Sequence, residues 1–197
     1  MSGKPLVVGI AGSPRRFGNS DRLLDAALAA AEEAGARTER IVASQANMKP
    51  CLGCNACSLS GTCIQRDGGD AFYRAIDAAD AIIIASPVFF ASVPAVLKIL
   101  YDRLQPYWAQ THVLGQPRPP RRPGAILLAG GGGDPYGFTG ADHTTRSVLA
   151  VLGIDVLGEV TVEGVDSAGD LLAKHPEALE EAAALGREVA EEAKRRT

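Results

Sequence analysis

The sequence has little that would suit a membrane, a nucleic acid or a secreted scaffold. Its longest uncharged stretch, Ala81 to Leu97, carries Pro87 and Pro94 and falls short of the about 20 apolar residues a spanning helix needs. Twenty basic residues are outnumbered by twenty-three acidic ones, a net charge of −3, so the cationic excess that draws a protein to nucleic acid or anionic lipid is missing. Aromatic residues make up only 5% of the chain, whereas alanine is abundant, a balance that suits helices packed closely on a sheet better than an all-β sandwich. Cysteine is absent everywhere except Cys51, Cys54, Cys57 and Cys63. A secreted disulfide framework spreads its cysteines to cross-link distant segments, so one tight group points instead to a reducing cytoplasm and a bound metal. Lys4 and the apolar run after it could pass for a short leader, but Ser13-Pro14-Arg15-Arg16 and a helical pattern follow, so the run is expected to be a first strand.

What is present reads as one domain over 1–197. The length is within the range of a single core, and 46% apolar with 22% charged residues is ordinary globular usage that excludes disordered and collagen-like classes. Short, continuous runs rich in Ile, Val and Leu at Leu6 to Ala11, Ala81 to Ala85 and Ala125 to Ala129 predict parallel strands covered on both faces. Arg37 to Ala43 and Ile154 to Val162 alternate and predict strands nearer the edges. Helical patterns lie between and after them at Asp21 to Ala34, Asp70 to Ala78, Pro94 to Leu104, Gly140 to Leu152 and Pro176 to Arg196. Strand then helix, repeated, predicts an α/β doubly wound parallel sheet with its ligand crevice at the carboxyl ends of the strands. The cysteine loop at 50–66 is inserted after the second strand.

Three loops at that end carry chemistry. After the first strand, Gly12 to Ser20 is a short polar loop feeding a helix, with Asn19 or Ser20 expected as N-cap. Free N–H groups at a helix start favour an anion, so Ser13, Asn19 and Ser20, with Arg15 or Arg16, suit a phosphate; a capped turn with solvated arginines is the plainer alternative. The loop matches neither G-x-G-x-x-G nor G-x-x-x-x-G-K-[ST], and a monophosphate suits it better than a pyrophosphate. After the third strand, Pro87, Val88, Phe89 and Phe90 make an uncharged loop ahead of a helix expected to be capped by Ser92; such a loop can hold the edge of a flat heterocycle. After the fourth, Gly130, Gly131, Gly132 and Gly133 let the backbone approach a ligand face. Together the loops fit flavin mononucleotide.

The spacing Cys-x2-Cys-x2-Cys-x5-Cys brings four thiolates into one loop, a local arrangement that iron–sulfur clusters use, with Lys49 and Arg66 as bracketing cations. Zinc, which more often takes two separated pairs, stands second, and a thiol–disulfide switch third. The stretch Trp108 to Pro123, with Arg118, Arg121 and Arg122, reads as a long solvated loop. His143, at the start of a helix after the glycines, is a surface or capping histidine that could come near the ring.

The motifs Gly12-Ser13-Pro14-Arg15 with Gly18-Asn19-Ser20, Pro50-Cys51-Leu52-Gly53-Cys54-Asn55-Ala56-Cys57 with Gly61 and Cys63, and Ser86-Pro87-Val88-Phe89-Phe90 resemble those of flavodoxin-like NAD(P)H-dependent FMN reductases, specifically the iron–sulfur flavoproteins. The resemblance runs from Leu6 to about Val162. It implies strand order 2-1-3-4-5; Ser13, Arg15, Asn19 and Ser20 at the FMN phosphate; Pro87 to Phe90 and Gly130 to Gly132 at the isoalloxazine; and a 4Fe–4S cluster on the four cysteines. No side chain is assigned as a catalytic acid or base, since the chemistry would be that of FMN. Phe89 stands where the family has tyrosine, so that hydroxyl's hydrogen bond is missing here. The function implied is an FMN-dependent oxidoreductase passing electrons from a reduced donor, such as NAD(P)H, to a small-molecule or protein acceptor, as a homodimer or homotetramer without nucleic acid or membrane. A cluster-free FMN or quinone reductase and a flavodoxin-type carrier are the alternatives.

Overall fold

The computed structural model describes residues 3–196. Five parallel strands, β1 (Leu6–Ala11), β2 (Arg37–Val42), β3 (Ala81–Pro87), β4 (Arg122–Ala129) and β5 (Ile154–Val162), form one sheet in the order β2-β1-β3-β4-β5. The flavodoxin-like order implied by the motifs is thus the observed one. Side chains alternate across the pleat, so each apolar run feeds two cores at once. Val7 and Ala11 of β1, with Ile83 of β3 and Leu127 of β4, face α1 (Asn19–Glu33) and the long C-terminal helix. Leu6, Val8 and Ile10, with Ile82, Ile84, Ile126 and Leu128, face the opposite layer. That is why the three central strands are apolar through their middles, Arg122 at the start of β4 and Ser86 near the end of β3 being their polar residues.

The second layer holds α2 (Cys57–Ser60), α3 (Gly69–Ala78), α4 (Ala95–Asp102), α5 (Gln105–His112) and α6 (Thr139–Val151); α7 (Asp170–Lys174) and α8 (Glu177–Arg196) complete the chain. Several boundaries correct the sequence reading. The cap of α1 is Gly18 and that of α4 is Pro94, neither using a side chain, so Asn19, Ser20 and Ser92 are not caps. The helical pattern Pro94 to Leu104 breaks at Arg103, and the supposed loop from Trp108 begins inside α5, whose Pro106 sits in the first turn where no amide is needed. Arg122 is not solvated: it belongs to β4 and donates to the carbonyls of Ile76 (2.7 Å), Ala79 (2.8 Å) and Leu152 (3.1 Å), closing the C-terminal ends of α3 and α6. Arg121 pairs with Asp155.

The crossing of α1 and α8 depends on Gly186. A Cβ there would lie 2.1 Å from the Ala27 carbonyl oxygen, a backbone atom that cannot swing away. Gly186→Ala is therefore expected to destabilise the fold by about 1–3 kcal/mol through overpacking. Differential scanning calorimetry checks it at about 2–4 °C of Tm per kcal/mol; an unchanged Tm would show that the helices separate without cost.

Candidate functional site

The loops that follow β1, β3 and β4 converge, as a parallel sheet of this order requires. A pocket of about 180 Å3 is lined by Ser13, Arg15, Asn19 and Ser20 from the first loop, Pro87, Val88 and Phe89 from the second and Gly130 and Gly131 from the third. Two of the expected residues lie elsewhere. Phe90 is 98% exposed at the tip of a tight turn, and Gly132 packs against Glu163 outside the lining. His143 lines a different cavity beside Tyr101 and Trp108. The pocket also has a wall that the sequence reading missed: Val165, Asp166 and Ala168, from the segment after β5.

The first loop is braced from within. The Ser13 hydroxyl donates to the Arg15 carbonyl (2.8 Å) and accepts from the Arg15 amide (3.0 Å). The Phe17 amide donates to the Asp21 carboxylate (2.9 Å), which holds the turn at Phe17, where φ is +60°. Asn19 ties this loop to the segment after β5: its side-chain amide donates to the Ser167 carbonyl (3.1 Å), and its side-chain oxygen accepts from the Leu171 amide (3.4 Å). The first backbone amide to close the helical pattern is that of Arg22, onto the Gly18 carbonyl (3.1 Å). The N–H groups before it point from the helix start into a pocket carrying Arg15 and Arg16, with Ser13, Asn19 and Ser20 buried in its floor. Those are the donors an anionic phosphate needs.

The second loop is rigid for a different reason. Phe89 and Ser92 exchange both backbone hydrogen bonds, at 2.8 and 3.0 Å, around Phe90 and Ala91, whose φ values are +51° and +57°. Two consecutive residues other than glycine in the left-handed region cost energy, and such turns persist only where surrounding structure imposes them. Here α6 supplies it: a Cβ on Gly140 would lie 2.5 Å from the Ala91 carbonyl oxygen, so the helix backbone sits directly on the turn. The turn sets Val88 and Phe89 at the pocket rim opposite Gly130. The pocket is smaller than the roughly 300–1,000 Å3 of usual cofactor sites and is open beside the partly exposed Phe89. Its helix start, arginines and glycine-lined wall have the chemistry that a flavin mononucleotide calls for.

The cysteines build a second, separate place. All four line one pocket of about 310 Å3 between the loop and α5, and it shares no residue with the first pocket. All are free thiols, Cys51 and Cys54 exposed and Cys57 and Cys63 half-buried. Burial raises the Cys57 thiol above its ordinary pKa, and the charges of Cys51, Cys63 and Cys54 push it the same way, which reflects how near one another they lie. A single zinc ion needs each sulfur about 2.3 Å from one point. Among the described residues, no three His, Cys, Asp or Glu side chains gather so tightly. Four thiols lining one pocket are a donor set that thiophilic metal centres, zinc or an iron–sulfur cluster, take.

Beneath the loop lies a buried ion pair that no local sequence pattern announced. Arg103, at the break between α4 and α5, binds the Asp67 carboxylate with both terminal nitrogens (2.8 and 3.1 Å). Asp67 also accepts from the amides of Lys49 and Gly69, each at 2.9 Å. The Arg103 hydrogen bond holds the Asp67 carboxyl well below the usual carboxylate range, the amide bonds adding to it, and Asp67 in turn keeps Arg103 charged. A group ionised at a lower pH when folded stabilises the fold above its unfolded pKa of about 3.9, and that contribution is lost as pH falls toward the folded value. Asp67→Asn is thus expected to cost up to about 3–5 kcal/mol near neutral pH. The gap between variant and wild type should shrink below about pH 4, as urea unfolding at pH 7 and pH 3 will show; a gap independent of pH would mean that Asp67 is not ionised.

The profile of the NADPH-dependent FMN reductase family matches residues 5–166, which span β1 to the pocket wall after β5. The chain belongs to that family. It is an FMN-dependent oxidoreductase. An iron–sulfur flavoprotein of Archaeoglobus fulgidus is 36% identical over 180 residues, covering 88% of this chain and 80% of the relative. One from Methanocaldococcus jannaschii is 44% identical over 100 residues, about half of either chain. Among solved structures, the NAD(P)H:quinone oxidoreductase of Methanothermobacter marburgensis superposes with a TM-score of 0.62 at 21% identity, covering 94% of this chain and 96% of its own. An azoreductase from Bacillus anthracis gives 0.64 at 17%, covering 94% and 98%; these two likenesses support the fold. No helix among the described residues is long and apolar enough to cross a membrane.

Proposed function

We propose that this reductase takes electrons from a reduced nicotinamide donor at FMN and passes them, through a 4Fe–4S cluster on Cys51, Cys54, Cys57 and Cys63, to a small-molecule or protein acceptor. The observation that carries the reading is the pairing of two separate pockets in one chain, one lined by the helix start and arginines of the first loop and the other by all four thiols. When bound, FMN accepts a hydride and the cluster moves single electrons, so together they convert pairs into single steps.

The chain's own residues would divide the work. Ser13, Ser20 and the first-turn amides of α1 would fix the phosphate, with Arg15 supplying charge; Asn19 holds their wall in place through Ser167 and Leu171. Pro87, Val88, Phe89, Gly130 and Gly131 would hold the ring, Phe89 by packing alone because it has no hydroxyl. No acid or base side chain is needed beside them. Exposed Phe90 and Leu59 support self-association as a homodimer or homotetramer.

A cluster-free FMN or quinone reductase is the second reading, favoured by the absence of a tightly gathered ligand group among the described residues. Anaerobic steady-state assays test the enzyme against the carrier: the FMN-loaded chain should oxidise NADPH or NADH continuously with a quinone present. A single stoichiometric reduction without turnover would make it a carrier.

A further inference from the structure

We propose that Arg103 is a positioning residue for the thiol pocket: it clamps the two feet of the cysteine loop and so presets the four sulfurs for their cluster. This rests on the cluster reading above.

The loop leaves the core at Lys49 and returns at Asp67, and Arg103 is bound to both. One terminal nitrogen donates to the Lys49 carbonyl (2.9 Å) and to Asp67 (2.8 Å), and the other to Asp67 (3.1 Å). Asp67 accepts from the Lys49 amide, so Lys49 is gripped through its N–H and its C=O alike. The Arg103 backbone is itself fixed, since the Tyr73 hydroxyl, which lies beside Cys63, donates to its carbonyl (2.7 Å). Higher in the loop, Gln65 donates to the Pro50 carbonyl (3.1 Å) and Gln110 to the Gly61 carbonyl (2.8 Å).

Burying a guanidinium is costly, and Arg103 is only 1% exposed. Ending α4 does not call for it, because any residue can supply the backbone bonds there. What this side chain adds is span: a planar fork that reaches a carboxylate and a carbonyl in fixed geometry, which lysine cannot reproduce. Closing a flexible loop has an entropic cost, and a loop whose feet are already joined presents its ligands with that cost met. Arg103 also forms part of the wall of the thiol pocket, and its buried Nε–H has no acceptor in the protein.

The test is hydrogen exchange and chelator-driven iron loss on the anaerobically purified, FMN-loaded chain. Arg103→Met combined with Asp67→Asn, so that no unpaired charge is buried, should speed amide exchange in 49–67 about tenfold while β1, β3 and β4 exchange as in wild type; Arg103→Gln alone, which leaves Asp67 unpaired, should open the same segment and lower global stability as well. Iron should be lost to a chelator about tenfold faster with FMN affinity unchanged, and Arg103→Lys should restore only part. Wild-type exchange in 49–67 in the double variant would overturn the clamp. So would faster exchange throughout the sheet in that variant, which would make Arg103 a general fold staple. An iron-free wild type whose loop still opens in the variants would uphold the clamp and reject the cluster.

Discussion

Ser20→Asp is expected to abolish FMN binding at micromolar flavin while leaving the protein folded. Ser20 is buried in the first turn of α1 at the floor of the loop pocket. A carboxylate near a helix start is favourable to the helix by about 0.3–1 kcal/mol, which offsets part of the cost of placing a charge at a buried position, so the Tm should fall while the chain remains folded. The same charge would face the phosphate that the first-turn amides are placed to receive. Two unit charges about 4 Å apart at an effective dielectric of about 20 repel by about 4 kcal/mol, about a thousandfold in Kd. Ser20→Ala removes a donor without adding charge and should cost only about tenfold, the worth of one charge-assisted hydrogen bond. Flavin fluorescence titration separates the two. If Ser20→Asp binds FMN within threefold of wild type, the phosphate is not at this helix.

Replacing any one of the four cysteines by alanine should empty the second pocket and spare the first. Iron content is expected to fall from about four per chain to below one, with FMN still bound stoichiometrically. The thiol pocket and the loop pocket have no residue in common, and the cysteines contribute nothing to the two sheet-facing cores. Two-electron reduction of a quinone should then persist, whereas reduction of a one-electron acceptor slows. Iron and flavin lost together would mean that the loop supports the flavin site, and full iron in a variant would mean that the replaced thiol is not a ligand.

The parts legible in the sequence are those whose physics is local. Ile82, Ile83 and Ile84 had to be a strand covered on both faces, because three consecutive β-branched residues cannot be solvated on one side. That Gly12 to Ser20 forms a polar loop feeding a helix was also legible, and the structure brings its residues to one pocket with those after β3 and β4. The parts missed depend on distance. Val165 to Ala168 carry no motif, and only the placement of β5 beside β4 brings them to the pocket. Arg103 and Asp67 lie far apart in sequence, and nothing about either residue marks it as buried. Arg122 sits in an arginine- and proline-rich stretch whose composition is that of a solvated loop, yet carbonyls from α3 and α6 meet it inside. The α5 helix is not legible because the stretch from Trp108 on reads as loop, although Pro106 occupies the helix's first turn, which tolerates proline. The resemblance implied Phe90 at the ring together with Phe89; in the structure Phe90 is almost fully exposed at a left-handed turn and outside the pocket lining, which Phe89 joins.

The most direct measurement is the composition of the wild-type chain purified without oxygen. One FMN with about four irons and four sulfides per chain, and broad absorption near about 400 nm that dithionite bleaches, is the result expected of two pockets holding two redox groups. Protein carrying FMN but no iron, with four titratable thiols, would contradict it and leave a cluster-free reductase.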